Sequence, residues 1–286
     1  MKQSVTGSRS RAMTAMARDH GDSEIPSRLQ FHHKPGLVAY VTCGDPDLNT
    51  TREIILSAVR AGADVIELGV PFSDPVADGP VIQRASERAL KNGTSLQDVL
   101  ALAADVRKET DAGLIIFSYL NPILRFGLER FCTEAARAGV DGGLITDLTV
   151  EEADEYRARM AAHQLSTIFL AAPTSPDQRL KRIAQACQGF VYAVSRTGVT
   201  GTRQEVAQDA AALVKRIRKY TKLPIGVGFG ISNREQFAQV AEFADAAVVG
   251  SAIVQTIEQN PGREAQAVAD LISSLKGQVG NASSAT

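Results

Sequence analysis

The sequence predicts an α/β chain folded as a single-domain (β/α)8 barrel, and three observations carry that reading. From residue 37 onward, short and almost continuously apolar runs alternate with amphipathic helical runs, the pattern of parallel strands buried on both faces with helices outside. Eight strand runs can be counted, enough to close a cylinder, and 286 residues is an ordinary length for one barrel. No composition break marks a second domain. A doubly wound open sheet is the alternative, because strand count alone does not prove closure.

The predicted strands are Leu37–Thr42, Asp64–Leu68, Leu114–Ser118, Gly142–Thr146, Thr167–Leu170, Phe190–Val194, Pro224–Val227 and Asp245–Val249. The first helix, Thr51–Ala61, carries Ile54, Ile55, Ala58 and Val59 on one face. Two helices, Val81–Lys91 and Leu96–Lys108, follow the second strand. Leu128–Ala138, Glu151–His163, Asp177–Cys187, Glu205–Lys219, Arg234–Glu242 and Ala252–Gln259 follow the later strands, and Arg263–Lys276 closes the chain. The recurring pieces Ala61-Gly62-Ala63-Asp64 and Ala138-Gly139-Val140-Asp141 read as helix stops with Gly just past the end. Residues 1–26 read as a disordered tail, 27–276 as the catalytic barrel and 277–286 as a second tail. The first tail carries Lys2, Arg9, Arg11 and Arg18 with no acid before Asp19, a composition also found in transit peptides.

Composition narrows the function. A net charge of −1 gives no footprint for nucleic acid, and no apolar run approaches the ~20 residues of a membrane helix. Cys43, Cys132 and Cys187 stand alone, without metal or disulfide spacing, as in a reducing cytoplasmic compartment. None of the four histidines follows a predicted strand, so no metal site is expected.

In such a barrel the chemistry gathers at the C-terminal strand ends. That rule selects the stretch Glu67–Pro80, where an apolar strand carries an acid and runs into a loop stiffened by Pro71, Pro75 and Pro80 that holds Asp74 and Asp78. An acid in an apolar strand is costly unless paired or used, and two carboxylates in unlike surroundings make an acid and a base at neutral pH. The rule also selects Tyr119, Asn121, Asp147, Tyr192 and the loop Ser195–Arg203. Asp45 reads equally as a loop anchor or a site orienter, and Arg196 as a phosphate cation or a solvent-facing charge. On spacing alone Tyr119 and Tyr192 read as core aromatics.

Two glycine clusters, Gly226–Ser232 and Gly250–Ile253, leave the seventh and eighth strands. Glycines there admit an anion to backbone N–H groups at a helix N-terminus. Gly230, Gly250 and Ser251 are the candidate phosphate cradle, with Gly198 and Gly201 as further backbone donors. No Walker lysine accompanies them, which points to a small phosphorylated metabolite.

Together these pieces resemble the tryptophan synthase alpha subunit from about Leu37 to Pro261. The matching segments are Gly44-Asp45-Pro46-Asp47, Glu67–Pro80, Asn121-Pro122-Ile123, Val150-Glu151-Glu152, Ser195–Gly201, Gly228–Ser232 and Gly250–Val254. The resemblance implies a TIM barrel that cleaves indole-3-glycerol phosphate to indole and glyceraldehyde 3-phosphate. It also implies a beta-subunit partner in an alpha2beta2 tetramer, with pyridoxal phosphate only in that partner and no cofactor here. By the same resemblance Glu67 and Asp78 are catalytic, and Tyr192 and Phe229 line the substrate, to which Tyr119 is added. Gly201, Gly230, Gly250 and Ser251 hold the phosphate, and loops Pro71–Asp78 and Ser195–Arg203 close over the site, parts of them facing the beta subunit. The sequence departs from the family at Thr149, where Pro is usual, and in the short segment Ser27–Pro35, where the family has a longer amphipathic helix under the barrel floor. A free-standing lyase, a non-catalytic ligand-binding subunit and a sugar-phosphate isomerase are the competing functions.

Overall fold

The computed structural model describes residues 27–194 and 203–277. Its strands are β1 (Gly36–Thr42), β2 (Val65–Gly69), β3 (Gly113–Ser118), β4 (Gly142–Ile145), β5 (Ser166–Ile168), β6 (Leu170–Ala171), β7 (Val191–Val194), β8 (Ile225–Gly228) and β9 (Ala246–Val249). All described pairings are parallel, in the order β5-β4-β3-β2-β1-β9-β8-β7-β6. The two ends of that order, β5 and β6, are consecutive halves of one run parted only by Phe169, so the sheet closes on itself as a barrel. The split has a local cause. The Phe169 amide donates to Cys187 Sγ at 3.4 Å rather than to a neighbouring strand.

The helices are α1 (Leu48–Arg60), α2 (Pro80–Lys91), α3 (Leu96–Val106), α4 (Leu120–Phe126), α5 (Leu128–Arg137), α6 (Asp154–Ala162), α7 (Asp177–Ala186), α8 (Arg203–Ile217), α9 (Arg234–Val240), α10 (Ser251–Gln259) and α11 (Glu264–Lys276). Ten of them were expected. The eleventh, α4, has no counterpart among the predicted helices. Pro122 sits in the first turn, where its missing N–H has no intrahelical partner to lose. Helix α6 starts at Asp154 rather than Glu151, because Thr149–Glu152 forms a turn in which the Thr149 hydroxyl donates to Glu152 Oε2 at 3.1 Å. Gly277 is the left-handed cap of α11 (φ 72°) rather than the first residue of a tail.

Alternation along each strand divides the apolar side chains into two bodies. Leu37, Ala39, Ile66, Leu68, Leu114 and Ile116 face the helices in the larger core. Val38, Val65, Ile115, Leu144, Ile168, Phe190 and Val248 fill the barrel interior. A short 3-10 turn, Ser27–Leu29, and Phe31 close this floor. Leu29 is fully buried within the inner cluster, and Phe31 packs edge-on against Phe190 at 5.9 Å.

The aspartates entering three strands do more than end helices. Asp64 Oδ2 accepts the Leu37 amide at 2.7 Å, Asp141 Oδ2 the Leu114 amide at 2.9 Å, and Asp245 Oδ2 the Ile225 amide at 2.8 Å. Each pins an amide at the start of its neighbouring strand and is paired in turn with Lys276, Arg107 or Arg218. Arg107 also donates to the carbonyls of Gly139, Thr110 and Ala112. We expect Arg107→Ala to destabilise the fold by about 3 kcal/mol in urea unfolding, because it removes the nearest cation from the mostly buried Asp141 carboxylate and a donor from three carbonyls at once. A loss under about 0.5 kcal/mol would show that solvent replaces the fork.

Candidate active site

Glu67 lies in the middle of β2, beside Tyr40 of β1 and Ile115 of β3. Its flanking residues Ile66 and Leu68 face the helices, so its side chain shares the interior face with Val65. The residue is 1% exposed, and its Oε1 has no hydrogen-bond partner among the described residues. Burial without a compensating cation raises its pKa to about 8. At neutral pH the residue is therefore a carboxylic acid carrying a transferable proton.

Tyr192 of β7 is half-buried and packs against the inner cluster. Its phenol is pushed well up, first by burial and then by the charge of Glu67, so the two side chains share one interior space. Tyr40 was not picked out from the sequence. It is buried, it accepts a long hydrogen bond from Thr42 Oγ1 (3.4 Å), and burial and then Asp78 raise its phenol. Its inward position follows from alternation with Val38, and that alternation was the available signal. Two glycines make room for these rings. A Cβ on Gly69 would lie 2.4 Å from the Tyr40 oxygen, and one on Gly228 would lie 2.7 Å from the Tyr192 oxygen.

Asp78 is carried by the loop between β2 and α2. The Tyr119 hydroxyl donates to Asp78 Oδ2 at 3.2 Å and accepts the Ala77 amide at 2.9 Å. Tyr119 is itself buried and packs on Phe72 with ring centroids 5.1 Å apart. Its hydroxyl is therefore occupied by the loop, and it bears on the site through Asp78. Burial raises the Asp78 pKa to about 6, against the lowering pull of Tyr119. Two carboxyls thus titrate on either side of neutrality for reasons visible in their surroundings.

The glycine clusters differ in what they leave open. At α9 the Asn233 side chain accepts the Gln236 amide, and Gln236 Oε1 accepts the Ser232 amide. At α10 the cap is Gly250, with no side-chain bond to the first amides, and Ser251 is exposed at the first helical position. The open donors are therefore at α10. Gly230 has φ 78°, a left-handed turn that favours glycine. Phe229 is buried in the larger core, to which Ile231 and Phe237 also belong. Gly201, and with it Gly198, Arg196 and most of the loop Ser195–Arg203, lies outside the described residues.

Asp45 proves to be an anchor. Its carboxylate takes the Arg88 fork at 2.7 and 2.8 Å. Asp147 accepts the Leu120 amide at 2.7 Å and so fixes the start of α4. A groove of about 640 Å³ runs outside the site, between the loop and α2, and is lined by Phe72, Asp74, Val76, Glu87 and Leu90 among others. Among the described residues no cluster of three metal-ligating side chains occurs, and no helix is long and apolar enough to cross a membrane.

The family described as "Tryptophan synthase alpha chain" matches residues 27–283. The chain belongs to the tryptophan synthase alpha chain family. A tryptophan synthase alpha chain from Solibacter usitatus is 52% identical over 232 residues, covering 81% of this chain and 87% of the relative. One from Neisseria meningitidis is 48% identical, covering 85% of this chain and 94% of its own. Among solved structures, tryptophan synthase subunit alpha from Legionella pneumophila superposes with a TM-score of 0.79 at 38% identity, covering 85% of this chain and 92% of that one. A chain of the tryptophan synthase complex from Pyrococcus furiosus gives 0.79 at 38% identity, with 85% and 98% covered. The family's barrel is the fold described above.

Proposed function

We propose that Glu67 and Asp78 carry out the family's lyase reaction on this chain. The chain is an alpha subunit of tryptophan biosynthesis that cleaves indole-3-glycerol phosphate. The observation that carries the residue assignment is the buried Glu67 carboxyl inside the barrel, its Oε1 without a hydrogen-bond partner among the described residues, beneath a loop that presents a second carboxyl, Asp78.

Glu67 gives its proton to C3 of the indole ring, which leaves positive charge on the ring N–H. Ionised Asp78 accepts a hydrogen bond from that N–H and stabilises the charge where water is excluded. The bond between C3 and the first side-chain carbon then breaks. Its electron pair stays with C3 and restores the aromatic ring, while the hydroxyl on the departing carbon loses its proton and becomes an aldehyde. Glu67, now a carboxylate, takes that proton and is reset. The products are indole and glyceraldehyde 3-phosphate, and one proton enters and one leaves. Tyr192, Phe229 and Tyr119 are proposed to shape the substrate-facing walls. Gly230, Gly250, Ser251 and, outside the described residues, Gly201 are proposed to hold the phosphate. These steps use only the chain's own groups; pyridoxal phosphate belongs to the proposed partner.

That partner is the tryptophan synthase beta subunit, in an alpha2beta2 tetramer. Val76 in the Asp78 loop is 78% exposed and Leu124 on α4 is 57% exposed. Two large apolar side chains left in water next to strand ends suit a covering protein surface. The chain is proposed to work in the cytoplasm, where its three buried free thiols stay reduced. The test is indole release from indole-3-glycerol phosphate, alone and with a beta subunit. We expect slow release alone and stimulation of about tenfold or more with the partner. Equal high rates with and without the partner would instead identify a free-standing lyase.

A further inference from the structure

The loop that holds Asp78 and the helix with the open N-terminus are joined by a chain of ion pairs that the reaction scheme does not use. Arg88, about two turns into α2, forks onto Asp45 and also donates from Nη1 to Glu258 Oε1 of α10 at 2.8 Å. Arg84, one turn earlier, forks onto the same Glu258 at 2.9 and 2.7 Å. Arg84, and then Arg88, holds Glu258 well below the usual carboxylate range. Asp45 is 1% exposed, so its fork from Arg88 is a buried contact, whereas Arg84 and Glu258 keep 48% and 27% of their side chains exposed.

Apolar packing runs beside the ion pairs. Ala85 of α2, Val254 of α10 and Tyr40 of β1 form a small buried cluster of their own, with Val81 and Ile82 against it. The first turn of α2 also grips the loop, where Gln83 Nε2 donates to the Asp78 carbonyl at 2.9 Å. A continuous path therefore leads from α10, whose last turn carries Glu258, through Arg88 and back along α2 to the backbone of Asp78.

We infer that Arg88 is a positioning residue: with Asp45 and Glu258 it locks α2 to α10, so that a phosphate seated at the α10 N-terminus holds Asp78 in its working place. The inference rests on the phosphate and Asp78 assignments proposed above. Its physical content is that binding energy at the unreactive end of the substrate is used to order a group at the reacting end. Lys at position 88 keeps the charge and loses the two-pronged geometry. Gln at position 258 keeps the shape and loses the charge.

The test compares the whole substrate with its phosphate-free analogue, indole-3-glycerol, with and without added phosphite. In the wild-type chain, saturating phosphite is expected to speed cleavage of the analogue about tenfold or more. In Arg88→Lys and Glu258→Gln, phosphite affinity should stay within about threefold while the stimulation drops below about twofold. On the whole substrate kcat should fall about tenfold with little change in KM. A merely structural role would depress both substrates alike and leave the stimulation factor intact, and that result would overturn the inference. So would wild-type kcat in both variants, or a wild-type chain that phosphite does not stimulate. If Arg88→Lys fails to fold, Glu258→Gln decides alone. Ser251→Asp separates the two levels, because a negative charge at the α10 N-terminus should abolish phosphite binding. Unchanged phosphite affinity in that variant would refute the phosphate site itself, whatever the clamp variants do.

Discussion

Glu67→Gln is expected to abolish measurable indole release while indole-3-glycerol phosphate still binds. The side chain keeps its shape but has no proton to deliver to carbon, and loss of a single acid–base group costs about 10²–10⁴-fold. The same substitution should make the protein more stable at alkaline pH. The folded carboxyl titrates near pH 8, against an ordinary value of 4.5. Between those values the unfolded chain releases a proton that the folded chain retains, so wild-type stability falls as pH rises through that window. Below it the penalty is absent. The Gln variant carries no such proton, and its advantage should grow from about pH 4.5 to about pH 8, to a few kcal/mol at most. Thermal unfolding of both proteins at pH 5 and pH 8.5 measures it. Wild-type turnover in the folded variant would remove Glu67 from the reaction. A variant less stable than wild type at pH 8.5 would show that the carboxyl has a partner in solution.

Asp78→Asn should lower kcat/KM by about 10², less completely, because the amide still occupies the place beside the ring but no longer carries charge. The pH dependence makes the assignment specific. Catalysis needs Asp78 ionised and Glu67 protonated, so kcat/KM should fall on the acid side near the Asp78 value of about 6 and on the basic side near the Glu67 value of about 8. The acid limb should vanish in Asp78→Asn. In Tyr119→Phe it should move upward, because the Tyr119 hydroxyl holds the Asp78 pKa down. An acid limb unchanged in both variants would assign it to another group.

The placement of the two carboxyls was legible in the chain because the barrel rule converts order into place. Glu67 stands in a short apolar strand, and Asp78 comes after a proline-stiffened loop; once the strands are known to be parallel, both must meet at one end. The glycine clusters at the last two strand ends were legible for the same reason. Tyr40 was overlooked because a tyrosine in an apolar run reads as core, and its inward face depends on which residues the closed sheet turns toward the axis. Asp45 stayed ambiguous because its partner, Arg88, is 43 residues away on another helix.

Local patterns by themselves determined the eight strand positions, ten of the eleven helices and the acids at the mouth, since alternation of apolar runs, helix stops and loop chemistry depends on near neighbours in the chain. Only the tertiary structure decided that Glu67 Oε1 has no hydrogen-bond partner among the described residues, that Tyr119 gives its hydroxyl to Asp78, and that Arg88 ties two helices together. Each of those facts is a contact or a missing contact between distant segments. The resulting pKa shifts arise from burial, which no single segment can produce alone.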